Sequence, residues 1–212
     1  MSFRKEIAKT IKVMLGILLA GIGTAILYEL GWGSNPSATM IEGLSVFFNL
    51  NYGVSGIIIN MIFILMLLFF DRKLIGVETV LITFFFGYFI EAGVILLSPF
   101  GIAEMNMTIK SIMLVIGCVL TAIGLGYYVG QFYGTGTMDA MSVIFAEKCH
   151  IKFSYCRWGL DILMMVSGVF MGASWGAGTI GSIIVTAPIM EIIIHKLKEK
   201  EPAEVLVEQT LS

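Results

Sequence analysis

Charge is what this chain has least of. Asp, Glu, Lys and Arg make up 13% of its 212 residues, where a soluble domain carries about 25%. That shortfall excludes a water-solvated globule. The net charge of −2 and the scatter of the basic residues leave no basic face for nucleic acid. Cysteine is also sparse. Three cysteines do not make a disulfide framework, and Cys149, His150 and Cys156 lack a metal-ligand spacing. Nucleotide-binding and hydrolytic motifs are missing as well. The Gly-x-Gly pairs at 21–23 and 124–126 lie inside apolar runs and so do not mark a phosphate loop. No cofactor, no metal and no enzymatic activity are expected.

What the chain does have is apolar length. Hydrophobic residues make up 58% of it, in runs that reach the roughly 20 residues a helix needs to cross a bilayer. Six spans fit, at about 11–31, 53–71, 76–97, 109–131, 153–173 and 177–196, within one membrane domain covering 1–212. Twelve of the thirteen Lys and Arg residues fall on one side of these spans, and only Lys110 falls on the other. The positive-inside rule then puts both termini in the cytoplasm and the chain in the inner (plasma) membrane as a multi-pass protein. The first span follows a basic N-terminus but is too long for a cleaved signal, so it reads as a retained anchor.

A pattern recurs along these spans. Gly76-Val77-Glu78-Thr79 leads a run ending at Glu91, and one hundred residues on Gly176-Ala177-Gly178-Thr179 leads a run ending at Glu191. Upstream, Ile41-Glu42-Gly43-Leu44-Ser45 matches Met138-Asp139-Ala140-Met141-Ser142 at an offset of 97. The two repeats cover about 11–97 and 109–196, with a tail over 197–212. Each holds three spans, an odd number, so the halves insert with opposite topology. The expected fold is an all-α integral membrane protein of six transmembrane helices and two short re-entrant or interfacial helices, arranged as inverted repeats.

The short helices lie within residues 32–51 and 132–152. Each segment opens with turn-forming residues and continues for about three turns, too short to span. Ser37 or Thr39 can cap the first, and Thr135 or Thr137 the second. Glu42 and Asp139 fall in or near the first turn, which the helix dipole favours. These are either amphipathic helices on the interface or half-helices entering from opposite faces; the repeat favours the second.

Ionisable residues inside spans are costly and are candidates for function. Glu91 and Glu191 are the candidates for carrying a proton or balancing a cation, Glu91 the more so because no basic residue lies close to it in sequence. Arg157 and Asp161 are spaced i,i+4 and read as a structural ion pair. Asn60 holds a broadly matching place in the second span. Gly168, Gly172 and Gly176 share one helix face, as do Gly16 with Ala20 and Gly126 with Gly130. Such faces serve packing within the chain or a homodimer. Pro188 interrupts the last span, with Thr186 placed to satisfy the carbonyl it frees.

The chain resembles the YczE/YyaS/YitT-type bacterial integral membrane proteins. The resemblance runs through Gly21-Ile22-Gly23-Thr24-Ala25, Gly33-Ser34-Asn35-Pro36, Glu42-Gly43-Leu44-Ser45, Tyr52-Gly53-Val54-Ser55-Gly56, Gly76-Val77-Glu78-Thr79 and Gly87. Gly134-Thr135-Gly136-Thr137-Met138-Asp139 fits the same frame. The family pattern has an aromatic residue and then an aspartate after the proline. Ser37 and Ala38 stand there, which makes Glu42 the first-half acid. The resemblance implies an inner-membrane protein and supplies no substrate.

Taken together, the residues point to a small-molecule transporter with a central site between inverted repeats. Asn35, Thr39, Glu42, Asn60, Thr135, Thr137 and Asp139 are the expected solute contacts. The acidic bias inside the spans favours a cationic or zwitterionic solute. The alternatives are a substrate-binding subunit of an ATP-driven vitamin uptake system, or a membrane scaffold or assembly factor with no solute site. Topology is directly testable: reporter fusions at Lys73 and Lys200 should read cytoplasmic, and one at Lys110 external. An external reading at Lys200 would make the span count odd and end the inverted-repeat reading.

Overall fold

A computed structural model of the chain describes residues 3–70, 76–131, 136–151 and 153–198; within these, the side chains of residues 3–5, 139, 143, 147, 153, 154, 187, 191 and 198 lie outside the description. The described residues fold into eight helices. They are α1 (Phe3–Leu30), α2 (Pro36–Phe48), α3 (Tyr52–Phe70), α4 (Val77–Leu97), α5 (Met107–Val129), α6 (Thr137–Cys149), α7 (Phe153–Phe170) and α8 (Ala177–Lys198). Two short 3-10 turns link α4 to α5. Five helices (α1, α3, α4, α5 and α8) are long and apolar enough to cross a bilayer. The sixth expected span, α7, has 18 residues and carries Arg157 and Asp161.

Local chemistry sets the boundaries. Asn35 caps α2 by accepting from the Ala38 N–H at 3.0 Å, and Pro36 fits the first helical position, where no donor is needed. The short helices end alike, at Asn49 (φ 53) and His150 (φ 54), both left-handed, a conformation in which Asn and His are enriched among non-glycine residues. Thr79 accepts from the Gly76 N–H at the start of α4. Asn106 caps α5 through the Ile109 N–H.

These boundaries show a register that the amino-acid identities obscured. Helices α2 and α6 each have 13 residues, and their left-handed ends lie at an offset of 101. That offset sets Ala38 against Asp139, and Asn60 against Asp161, each the ninth residue of its helix. The offset of 97 followed a match of acid and serine within two short apolar segments. The helix ends, which fix the backbone, place Glu42 four positions further along.

Lipid gives helices no hydrophobic reason to associate, so they pair where small residues let backbones touch. Helix α1 uses two such faces. Gly16 and Gly23 meet Tyr128 and Thr121 of α5, while Gly21 meets Phe89 of α4 and Ala25 meets Gly93. Gly53 and Gly56 of α3 meet Gly87 of α4 at the same closeness. Gly43 of α2 crosses Gly168 of α7, and Gly126 and Gly130 of α5 receive Met190, Ile193 and Leu197 of α8. Gly172 and Gly176 lie against Val46 and Trp32. The small-residue faces seen in the sequence are therefore occupied inside one chain. Among the described residues α7 packs on α2 and α6 and has no extensive contact with α8, although α3 lies closely against α4.

Solvation is inverted relative to a soluble protein. Thr24, Thr39, Thr79, Thr83, Thr121 and Glu78 are buried, while Phe69 and Phe170 are 88% and 87% exposed. Polar side chains are buried within an apolar core, and large apolar side chains cover much of the outer surface, which suits a bilayer solvent.

Helix α7 offers a contrast within one element. A Cβ at Gly168 would lie 2.5 Å from the Thr39 carbonyl oxygen, whereas one at Gly159 would meet nothing within 4 Å. Gly168→Val should lower stability by about 1–3 kcal/mol or more, as overpacking does, and Gly159→Ala should not lower it. Thermal unfolding in detergent, followed by tryptophan fluorescence, measures both.

Candidate functional site

The beginnings of the two short helices meet at a central cavity of about 550 Å³. Asn35, Pro36 and Ser37 bring the start of α2 to its wall, and Gly136, Thr137 and Met138 bring the start of α6. Neither sequence segment touches the other along the chain; the close crossing of α2 on α7 and the packing of α3 on α6 bring them together. Asn60 of α3 sits between them. The Thr137 hydroxyl donates to Asn60 Oδ1 at 2.7 Å, and Asn60 Nδ2 donates to the Gly56 carbonyl at 3.0 Å. Both side chains are buried. This bond is the direct polar tie between the halves at the cavity.

Helix α7 supplies Arg157, Trp158, Asp161 and Met164 to the opposite wall, and α8 supplies Ser182, Ile183, Thr186, Met190, Ile194 and His195. Arg157 Nε lies 3.2 Å from Asp161 Oδ1 and Oδ2, the i,i+4 pair expected from the sequence. Both residues of the pair line the cavity. Apolar side chains, including Ile59, Phe63, Ile82 and Phe86, complete the lining. A space of this volume, mostly apolar with a few convergent polar groups, is the form small-molecule sites take.

The α2 end keeps unspent hydrogen-bonding capacity. Asn35 Oδ1 receives the Ala38 N–H at 3.0 Å and the Ser37 hydroxyl at 3.4 Å. Its Nδ2 is buried with no hydrogen-bond partner among the described residues. Thr186 Oγ1 is in the same condition, so it does not relieve the helix around Pro188. At α6 the cap residue is Gly136, which has no side chain to satisfy the first turn.

Other expected contacts lie elsewhere. Thr39 is fully buried one turn into α2 and donates to the Asn35 carbonyl at 3.1 Å. It holds the turn before α2 and does not line the cavity. Glu42 faces the α7–α8 connection, where the Ser174 hydroxyl donates to its Oε1 at 2.7 Å; Oε2 is buried and without a partner among the described residues. Its neighbour on α1, Tyr28, donates to the Ala38 carbonyl. Glu91 is met by another helix. Its Oε2 accepts the Gly53 N–H at 3.2 Å, at the first turn of α3, where a helix exposes its positive end. Glu91 thus closes the α3–α4 seam and stands outside the cavity lining. Thr135 lies outside the described residues, as do the side chains of Asp139 and Glu191.

Sequence reasoning passed over Trp158, Ser182 and His195 as lining residues. Nothing in their local pattern separates them from helix surface, and Trp158 stays 60% exposed where it borders the cavity. It also passed over Glu78, which is fully buried beside Thr79 and Thr83. The signal was present, since Glu78 stands inside the repeated Gly76 to Thr79 motif.

Helices of spanning length, large apolar side chains on the outside and polar side chains within define a helical integral membrane protein, with the lipid bilayer as its environment. The chain belongs to a family described as a family of unknown function (DUF6198), whose profile matches residues 7–195. It is similar to an uncharacterized protein of Haemophilus influenzae, 26% identical over 174 residues covering 81% of this chain and 77% of that one. It is also similar to the uncharacterized membrane protein YczE of Bacillus subtilis, 26% identical over 82% of this chain and 80% of the relative. YyaS of the same organism is 22% identical over 85% and 89% of the two chains. No solved structure matches.

The Glu91 contact gives a measurable expectation. Glu91→Gln should cost about 0.5–2 kcal/mol, the range for a charged acceptor at a partly buried helix start. Thermal unfolding should show this loss, and hydrogen exchange should rise at the first turn of α3. An unchanged exchange rate at Gly53 would remove the latch role.

Proposed function

We propose that this protein is a small-molecule transporter of the bacterial inner membrane, with its solute site in the cavity between two inverted repeats. The observation that carries the reading is the meeting of both short-helix starts with Arg157 and Asp161 around one cavity. A broken helix is tolerated at membrane depth where its freed groups line a cavity, and such starts are how many transporters hold solute near the midplane. The two short helices enter from opposite faces and end near the surfaces at Asn49 and His150.

The two seams suggest the transport step. The α3–α4 seam is closed by glycine contacts and by the Glu91 to Gly53 hydrogen bond. The α7–α8 seam is open, and Trp158, Ile194 and His195 line its mouth. Basic residues put that mouth on the cytoplasmic side, so this conformation is inward-open. Closing α7 on α8 while α3 parts from α4 would deliver the site to the other face. The solute is cationic or zwitterionic, attracted by the acidic residues of the second half. A cavity with convergent polar groups weighs against a scaffold without a solute site.

Single-cysteine labelling tests the reading in a background lacking Cys118, Cys149 and Cys156. Met190→Cys, in the cavity wall, should react with a small aqueous thiol reagent added from the cytoplasmic side. Val115→Cys, on the exposed face of α5, should resist it. Equal protection of both positions would mean the cavity has no aqueous access, which the transporter reading cannot survive.

A further inference from the structure

Both charged groups of the described cavity lining that form an ion pair, Arg157 and Asp161, stand on α7, and α2 and α3 lend only uncharged groups to it. The inference rests on the cavity being a solute site. At the structural register, the second half carries Asp139 at the third position of its short helix and Asp161 at the ninth of α7. The first half carries Ala38 and Asn60 at the same places. The start of α2 therefore has no acid in its first turn and keeps its positive dipole end uncompensated. Pro36 has no N–H, and the Ala38 N–H is taken by Asn35. Asn35, only 6% exposed in the cavity wall, keeps Nδ2 without a partner among the described residues. Ser37 lines the same cavity, as do Asp161 and Arg157, whose carboxylate and guanidinium lie 3.2 Å apart.

We infer that the cavity selects a zwitterion, an amino-acid-like solute with an apolar side chain, held with its carboxylate at the start of α2 and its ammonium toward Asp161. A bare cation would leave the α2 donors unmatched, and a bare anion would leave Asp161 facing it. Ile59, Phe63, Ile82 and Phe86 give the side chain an apolar wall. The ammonium takes the place of Arg157 as partner to Asp161, which frees the guanidinium to turn to the carboxylate. No covalent step is involved.

The test uses the full chain in detergent with Trp32 and Trp175 replaced by Phe, so that fluorescence reports on Trp158. The probes are valine, leucine, methionine and phenylalanine, each beside its decarboxylated amine and its deaminated acid. At least one amino acid should bind, and its amine and acid partners should each bind about tenfold or more weakly, the worth of one hydrogen bond to a charged group. Ser37→Asp, an acid where a helix start accepts one, should keep thermal stability, weaken the amino acid about tenfold or more and leave its amine partner unaffected; Ser37→Ala should weaken it less. An amine binding as well as its amino acid, an acid doing so, or no binding by any of the four amino acids overturns the inference. The labelling of Met190→Cys is read separately. A cavity that labels and takes no amino acid defeats the solute class alone, while a cavity that does not label defeats the transporter reading itself.

Discussion

Backbone contact through glycine is the interaction on which the rest of this structure depends. In a bilayer the helix surfaces gain nothing by leaving solvent, so association relies on close packing and on polar groups that lipid cannot satisfy. Helix α1 supplies that packing to both halves, touching α4 on one face and α5 on the other. From it the order continues outward, α4 to α3 and α5 to α8. The short helices are then held from the sides, α2 by the Gly43–Gly168 crossing and by Tyr28. Without that frame nothing would hold two unpaired helix starts together in the interior.

Polar groups then take the interior by elimination. Lipid excludes them from the outer surface, and the glycine seams leave no room for them between long helices. They collect where the seams end. Buried threonines turn back on their own helices, as Thr83 does to the Thr79 carbonyl at 2.6 Å. Others face the cavity and one another, as Asn60 and Thr137 do. The same physics that builds the bundle thus gathers its hydrogen-bonding side chains at the centre.

Much of this was legible in the sequence because periodicity and spacing are local. The apolar lengths gave the long helices, the turn residues before 36 and 137 gave the short ones, and the four-residue spacing of Arg157 and Asp161 gave their pair. Asn35, Asn60 and Thr137 were named and do meet at the cavity. Partner choice was not legible. Acid identity aligns Glu42 with Asp139, whereas the ends of α2 and α6 align Ala38 with it. Glu91 looked isolated because its partner is a backbone N–H on another helix, and backbone groups leave no trace in composition. That Trp158 and His195 border the cavity depends on how α7 and α8 are placed, which no local pattern encodes.

The glycine seam between α3 and α4 has an unlike counterpart. At the structural register Gly53 and Gly56 correspond to Ser154 and Arg157. A helix pair that meets through bare backbone can shut dry, with nothing to rehydrate when it parts. Its counterpart would have to shut around a guanidinium and would carry water with it. On the proposed transporter reading, the two seams would be unequal barriers, and ions should leak past the wetter one first.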